Sequence, residues 1–306
     1  MIDSIVPILA AAIAAGTPLV FAALGELVVE RSGVLNLGVE GMMLVGAIAG
    51  FSTAAASGNL WLGALAGMAA GAAMALIFAV LALTLMANQV ASGLALTLFG
   101  IGLSAFVGKP FESVSLLKEG TFDVPLLAQI PFLGPILFRQ HILVYVSWLL
   151  FAGVSWFLYR SRAGLVLRSI GESPECAHAI GYPVIRIRYL STLFGGAMAG
   201  LGGAHLSEFY APMWAEGMVA GRGWIALALV VFATWRPARV MLGAYLFGGV
   251  TIAQFFAQGA GVDVTAQLLS SLPYLATIVV LVIISRNVQT IRQNSPVSLG
   301  RAYRPD

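Results

Sequence analysis

The sequence predicts an all-α protein that crosses a membrane many times. Of its 306 residues, 59% are hydrophobic and only 9% are charged, whereas about 25% of the residues in a soluble domain are charged. The mean hydropathy is +0.94. Long apolar runs alternate with short polar loops, which is typical of transmembrane helices. The 35 glycines are consistent with closely packed membrane helices.

About nine segments (8–10) approach or exceed the roughly 20 apolar residues that a helix needs to cross the hydrocarbon core. We expect the whole chain, 1–306, to form one transmembrane domain from these helices. The predicted spans are 4–29, 34–56, 60–86, 89–108, 140–159, 187–210, 218–235, 238–258 and 267–285.

Arginine and lysine placement predicts the orientation, because cytoplasmic loops carry an excess of basic residues. If the loop 160–186 is cytoplasmic, 12 of the 16 basic residues lie inside. This split predicts a cytoplasmic C-terminus, and nine spans would then place the N-terminus outside. The four outside residues are Lys109, Lys118, Arg139 and Arg222.

Two further segments lie outside the predicted spans. The loop 109–139 is the longest external segment, and four prolines interrupt it. We expect it to lie on the outer surface, where it could help to receive a partner. The segment 286–306 carries scattered arginines and two prolines, and we expect a solvated cytoplasmic tail.

A polar stretch within the loop 160–186 carries the signals of a short helix, 174–180. Ser173 suits the N-cap, and Pro174 suits the first helical position. Glu175 follows in the first turn, where the helix dipole favours an anion. Gly181 suits the position after the helix. So short a helix is marginal alone, so it needs tertiary contacts or a partner. The alternative is a connecting loop with one helical turn.

Glu40 is the most notable polar residue within a predicted span, because a charge there is costly unless it is paired or faces water. One interpretation places Asn36 and Glu40 beside a transport pathway. The other, which we favour slightly, is a structural pair of Glu40 with Arg31 at the cytoplasmic end of the bundle. Glycines around Glu40 also indicate a broken or re-entrant helix start.

Two polar stripes could line a solute pathway or could make hydrogen bonds between helices. The first comprises Gln89, Gly93, Thr97 and Ser104, and the second comprises Thr251, Gln254 and Gln258. Phe99, Phe255 and Trp224 could stack on a nucleobase, although aromatic residues in spans more often serve packing.

A small-residue surface, Gly195–Gly203, predicts close helix packing, which could include an interface with another subunit. His205 and Glu208 follow it, and we expect them at the outer rim without an assigned role.

The sequence also argues against several classes of function. It has no Gly-x-x-x-x-Gly-Lys-Ser/Thr loop, so ATP binding of the P-loop kind is not expected. It has one cysteine, Cys176, and no metal-ligand spacing, so we expect no metal or cofactor. The basic residues fall in loops, which does not indicate a nucleic-acid surface. Paired catalytic carboxylates and a Gly-x-Ser-x-Gly element are absent, so we expect no enzyme.

The pattern Glu175-Cys-Ala177-x-x-x-Gly181 resembles the Glu-Ala-Ala-x-x-x-Gly loop of ATP-binding cassette (ABC) importer permeases, with Cys176 in place of the middle alanine. The stretch 25–43 resembles the N-terminal signature of the branched-chain amino acid and simple-sugar permease family. Its form, together with 88–96, 195–203 and 221–228, is most similar to the nucleoside-type branch.

This resemblance implies an ABC importer permease in a bacterial plasma (inner) membrane, in contact with membrane lipid. It implies that the helix 174–180 couples to ABC ATPase subunits through Ser173, Pro174, Glu175, Ala177, His178 and Gly181. It further implies a second permease subunit, identical or paralogous, and a periplasmic or lipid-anchored solute-binding protein. The implied solute is a nucleoside, with a simple sugar or a branched-chain amino acid as alternatives. An ion-coupled secondary transporter would need intramembrane carboxylates, for which Glu40 is the plausible candidate.

Overall fold

The computed structural model describes residues 2–117, 120–259, 265–285 and 294–304. These residues are mainly helical, which confirms the all-α fold class. The helices are α1 (Ile2–Arg31), α2 (Val39–Ser57), α3 (Leu60–Ala79), α4 (Gln89–Gly108), α5 (Leu133–Leu137), α6 (Ile142–Arg160), α7 (Arg162–Glu172), α8 (Pro174–Ala179), α9 (Val184–Ala204), α10 (Arg222–Phe232), α11 (Pro237–Gly259) and α12 (Ala266–Ser285).

Short irregular elements complete the described chain. Two π-helical segments extend α3 and α9, namely Val80–Thr84 and His205–Tyr210. Two 3₁₀ turns cover Lys109–Phe111 and Leu127–Gln129. Strands β1 (Phe122–Asp123) and β2 (Arg139–Gln140) form an antiparallel pair in which Phe122 faces Gln140.

Each of the nine predicted spans falls on a helix, but the number nine is not confirmed. In the described part of the chain, six helices are long and apolar enough to cross a membrane: Val6–Arg31, Val39–Ser57, Leu60–Thr84, Gln89–Phe111, Ile142–Arg160 and Pro237–Gly259. The chain is therefore a multi-pass helical membrane protein. The segment 218–235 is a correction, since α10 has only 11 residues. It reaches about 16 Å, roughly half of the ~30 Å hydrocarbon core.

Glycines bring the central helices α2, α3 and α9 into backbone contact. A Cβ atom on Gly203 of α9 would lie 1.9 Å from the carbonyl oxygen of Met43 in α2. A Cβ atom on Gly200 would lie 2.1 Å from the carbonyl oxygen of Gly67 in α3. The predicted close packing of 195–203 is confirmed. Because Gly195 and Gly196 also face helices of the same chain, this surface is consumed inside the subunit and does not form an interface with a second permease.

The loop 109–139 is partly folded onto the helices. Ala128 and Ile136 are buried, and the side-chain amide of Gln140 at its end donates to the carbonyl oxygen of Ala10 in α1 at 3.2 Å. Lys118 lies outside the described residues. That the loop faces the exterior stays a prediction.

The C-terminal segment is not the solvated tail that the sequence predicts. Residues 294–304 run back along the bundle, where Ser298 and Tyr303 are buried. The backbone N–H of Ser298 donates to the carbonyl oxygen of Gly171, and that of Gly300 donates to the carbonyl oxygen of Gly33. These bonds attach the C-terminal segment to the end of α7 and to the break after α1. The segment 286–293, with Arg286 and Arg292, lies outside the described residues.

Candidate functional site

The short helix α8 forms as its sequence signals predict. The hydroxyl oxygen of Ser173 accepts the backbone N–H of Cys176 at 3.3 Å, which is N-cap geometry. Pro174 occupies the first helical position. The helix ends at Ala179, one residue earlier than predicted, and Gly181 has a φ of +93°, a conformation that favours glycine.

One face of α8 is packed against the protein. Pro174 and Ala177 are buried, and Ala177 clusters with Ile170 of α7, Val184 of α9 and Tyr303 of the C-terminal segment. A six-residue helix is unstable alone, so these contacts from three separate parts of the chain stabilise it.

The opposite face of α8 is open to solvent. Glu175, Cys176 and His178 are exposed, and Ile180 just beyond the helix is 72% exposed. Glu175 and Ile180 thus give the solvent-facing side of α8 both charged and apolar character, while the other side is packed against the protein.

Glu40 bonds to the start of α10, and its predicted pairing with Arg31 is wrong. One carboxylate oxygen of Glu40 accepts the backbone N–H of Gly221 at 2.8 Å, and the other accepts that of Gly223 at 2.7 Å. A carboxylate at a helix N-terminus satisfies orphan N–H groups and suits the helix dipole. Gly223 has no room for a side chain, since its Cβ would lie 2.5 Å from the backbone of Glu40.

The other end of α10 is bonded to the last turn of α1. The indole N–H of Trp235 donates to the carboxylate of Glu30 at 2.5 Å. Arg31 donates to the carbonyl oxygen of Trp235 at 2.8 Å. Trp235 has a φ of +52° in the turn between α10 and α11. The hydrogen bonds from Arg31 and to Glu30 therefore stabilise an unfavourable backbone conformation. The short helix α10 is thus bonded at both ends by the two N-terminal helices.

Three of the predicted pathway residues gather around the break between α1 and α2, residues 32–38, and the broken or re-entrant helix start stays a prediction. The side-chain amide oxygen of Gln89 accepts the backbone N–H of Leu35 at 2.8 Å. The hydroxyl of Thr97 donates to the carbonyl oxygen of Leu37 at 3.0 Å. The buried Asn36 accepts the backbone N–H of Gly38 at 2.9 Å. These side chains satisfy the backbone of an irregular segment, as burial in a membrane requires.

The remaining pathway candidates are not brought to this cluster. Phe99 is 53% exposed on the outer face of α4, and Phe255 is 55% exposed on α11. The hydroxyl of Thr251 donates to Phe247 within its own helix, and Gln254 is buried. Helix α4 packs mainly on α2, whereas α11 packs mainly on α1.

His205 and Glu208 are both buried in the π-helical segment after α9, and their place at the outer rim stays a prediction. The carboxylate of Glu208 lies between α2 and α3, where a Cβ on Gly63 would come within 2.5 Å of it. Neither carboxylate oxygen has a hydrogen-bond partner among the described residues. Gly50 and Gly63 make room for it from two other helices, and no pattern in its own segment indicates this position.

Across the described ranges, no group of three or more His, Cys, Asp or Glu side chains could hold a metal ion. The candidate site described above consists of α8, with its buried and exposed faces, and of α10, whose two ends are bonded by Glu40, Glu30 and Arg31.

Comparison with known proteins identifies the family to which the chain belongs. Residues 8–284 match the family described as "Branched-chain amino acid transport system / permease component". The chain belongs to this permease family.

Relatives of the permease cover almost its whole length. It is 43% identical over 97% of both chains to "Putative glucose ABC transporter permease protein" of Haloferax volcanii. It is 33% identical to a nucleoside ABC transporter permease protein of Lactococcus lactis, over 87% of this chain and 88% of the relative. It is also 33% identical to a guanosine ABC transporter permease protein of Bacillus subtilis, over 86% and 87% of the two chains. No solved structure matches the permease.

Proposed function

We propose that the permease is the transmembrane subunit of an ATP-driven ABC importer and that α8 docks the ATPase subunit. The observation that carries the proposal is the two-sided character of α8. Its buried face is fixed to α7, α9 and the C-terminal segment, while Glu175, His178 and Ile180 point outward. A fixed base lets a force applied to α8 pass into the helical bundle.

The partners follow from the family. The importer would contain two ABC ATPase subunits and a second permease subunit, with a periplasmic or lipid-anchored binding protein that delivers the solute. It would move the solute by alternating access in the plasma membrane. Reconstitution of the permease with these partners should give uptake that requires ATP. Uptake by the permease alone, driven by an ion gradient, would contradict the proposal and favour a secondary transporter.

The docking role can be tested by reversing one charge on α8. We expect Glu175→Arg to weaken ATPase binding roughly tenfold or more, as the loss of one charged contact of about 1.5–3 kcal/mol would. Glu112→Arg is the matched control, because Glu112 is also exposed but lies in the loop 109–139. Equal ATPase binding and transport in the two variants would contradict docking through α8.

Gly181→Ala tests the backbone conformation after α8 without changing the exposed side chains of the helix. No atom lies within 4 Å of a Cβ atom at Gly181, but its φ of +93° strains any side chain. We therefore expect Gly181→Ala to impair coupling through the path of the backbone, with the exposed face of α8 unchanged. Cys176 supplies the readout, because it is exposed and bound ATPase should slow its reaction with a thiol reagent.

The proposed solute is a nucleoside, and the second candidate is a simple sugar. Two relatives named for nucleoside or guanosine transport support the first. The relative named for glucose supports the second through its higher identity. In reconstituted vesicles that contain the binding protein, uptake of labelled guanosine should be blocked by unlabelled nucleosides and not by glucose. The reverse pattern would favour the sugar, and competition by leucine would favour a branched-chain amino acid.

The pathway is proposed to pass the cluster of Asn36, Glu40, Gln89 and Thr97, which fixes the α1–α2 break and the start of α10. Short or interrupted helices often mark solute sites in transporters. Phe99 on the exposed face of α4 and Phe255 on the exposed face of α11, with the half-buried Thr251 and the buried Gln254 beside it, would complete the pathway from the side of the second permease. We expect Phe99→Ala to raise the KM for uptake more than Phe106→Ala, a control that is 82% exposed on the same helix.

A further inference from the structure

A pocket of ≈ 830 Å³ opens where the ends of α1, α6 and α7 meet the start of α11. Arg31, Arg168 and Arg236 line it, together with one acidic residue, Glu172. The described lining residues therefore carry an excess of two positive charges. This cluster, which we call the arginine pocket, is separate from the exposed face of α8 and from the N-terminal end of α10.

The arginines of this pocket have unused hydrogen-bonding capacity. In the described part of the chain, none of the three forms a salt bridge. The Nε–H groups of Arg31 and Arg168 are buried and have no hydrogen-bond partner. Arg31 is only 8% exposed, and its other nitrogens donate to the carbonyl oxygens of Trp235 and Asn294. A partly buried positive charge without a carboxylate in an ion pair is costly, and an anion in the pocket would offset the excess charge of the three arginines.

The pocket lies at the edge of the membrane-spanning region. Arg31 ends α1, Tyr159 is the penultimate residue of α6, and Arg236 directly precedes α11. The guanidinium of Arg168 lies over the ring of Tyr159, 5.5 Å from its centre. Tyrosine and arginine at helix ends are typical of the membrane–water interface. Phe151 and Pro237 add apolar walls to the same pocket.

We propose that the arginine pocket binds the phosphate group of an anionic phospholipid. Guanidinium groups match phosphate oxygens by paired N–H donors, and basic pockets between spanning helices suit phosphorylated lipid head groups. The lipid glycerol and the first acyl carbons would lie against Phe151 and Pro237. A free phosphate ion has the same charge chemistry, but it would leave those apolar walls uncovered.

The test uses the assembled transporter in nanodiscs of phosphatidylcholine with increasing phosphatidylglycerol, with bound lipid counted by native mass spectrometry. We expect one phosphatidylglycerol molecule for each copy of the permease to persist in the wild type. Arg168→Gln should weaken that binding roughly tenfold, as the loss of one charged contact would. Arg162→Gln is the matched control, since Arg162 is exposed on the same helix but does not line the pocket.

Arg168→Lys keeps the charge but loses the paired donors, so it should weaken binding less than Arg168→Gln. This variant keeps the test valid if the neutral one fails to fold. Equal lipid loss in Arg162→Gln and Arg168→Gln would overturn the proposal, because it would indicate only general surface charge. Full retention of phosphatidylglycerol in a folded Arg168→Gln transporter would also overturn it.

A second arm separates the two sources of phosphate. Inorganic phosphate added to transporter in pure phosphatidylcholine should not reproduce the thermal stabilisation that phosphatidylglycerol gives. If inorganic phosphate stabilises the wild type equally, and Arg168→Gln removes that effect, the ligand is a free anion and the lipid proposal is wrong. Loss of ATPase binding in Arg168→Gln, with lipid binding unchanged, would assign the pocket to the ATPase interface and overturn the proposal.

Discussion

Buried carboxylates of the permease differ in what surrounds them. Glu40 accepts two backbone N–H groups at the start of α10. Glu30 accepts the indole N–H of Trp235 at the other end of this helix. Glu208 has neither kind of partner among the described residues. A buried carboxylate stabilises a fold only when its hydrogen bonds offset its desolvation. The same substitution should therefore act differently at Glu40 and Glu208.

We expect Glu40→Gln to destabilise the permease by about 2–3 kcal/mol. The amide replaces one acceptor oxygen with a donor that faces a backbone N–H, and it removes the negative charge at the start of α10. We expect Glu208→Gln to be neutral or stabilising, because no described bond is lost. Thermal unfolding in detergent measures the difference, with exposed Glu112→Gln as the control. A lower midpoint for Glu208→Gln than for Glu40→Gln would contradict this reading of the two sites.

At the scale of elements, the presence of each helix was largely predictable from the sequence, but the length of α10 was not. Hydropathy located each apolar segment, and capping chemistry located α8 to within one residue. Hydropathy could not reveal that α10 is short, because the apolar run continues into the turn around Trp235. The conformation of this turn is fixed by contacts with Glu30 and Arg31. Those contacts join residues about 200 positions apart, so no local pattern encodes them.

The residues of the candidate sites also differ in whether their roles could be predicted from the sequence. Ser173, Pro174 and Gly181 act within their own segment, so their structural roles as helix boundaries could be predicted and are confirmed. Gln89 and Thr97 were grouped by polarity, but their partners are backbone atoms of a distant break, in which Asn36 itself lies. The burial of Glu208 depends on Gly50 and Gly63, two glycines on different helices. Sequence spacing within one helix carries no information about such neighbours.

Close packing of α2 and α9 gives a prediction at the element scale. We expect Gly203→Ala to destabilise the permease by about 1–3 kcal/mol, because its Cβ would overlap the carbonyl oxygen of Met43 and force the helices apart. Gly102→Ala on α4 meets no atom within 4 Å. It should be neutral or gain up to about 1 kcal/mol of helix propensity. Unfolding midpoints of the two variants make the comparison, and equal values would contradict backbone contact at this crossing.

For the whole molecule, the predicted orientation depends on one loop. The single cysteine of the chain, Cys176, lies on the exposed face of α8. If the loop 160–186 is cytoplasmic, a membrane-impermeant maleimide should label the permease in inside-out vesicles and not in right-side-out ones. Cys176→Ala removes the background, and Leu117→Cys in that variant should label with the opposite sidedness, because Leu117 is 93% exposed in the loop 109–139. The same sidedness for the two positions would contradict the predicted topology.

Arg188 connects two of the segments at the base of α8, the start of α9 and the C-terminal segment, to the break after α1. Its guanidinium donates to the carbonyl oxygen of Ser32 at 3.0 Å and to the hydroxyl of Ser298 at 3.1 Å. Gly33 has no space for a side chain at this junction, since its Cβ would lie 2.3 Å from the hydroxyl oxygen of Ser298. The break after α1, the start of α9 and the C-terminal segment therefore meet at one buried arginine.

Arg188→Lys should loosen this junction, because a lysine ammonium cannot reproduce the forked donors of a guanidinium. We expect faster amide hydrogen exchange in 170–184 and 294–304, and unchanged exchange in the buried part of α1. Arg186→Lys is the matched control, since Arg186 is exposed two residues before Arg188 on α9. ATP-dependent uptake, measured on the assembled importer, would show whether transport falls as α8 loosens. If Arg188→Lys leaves exchange at α8 unchanged, the C-terminal segment does not stabilise the base of α8.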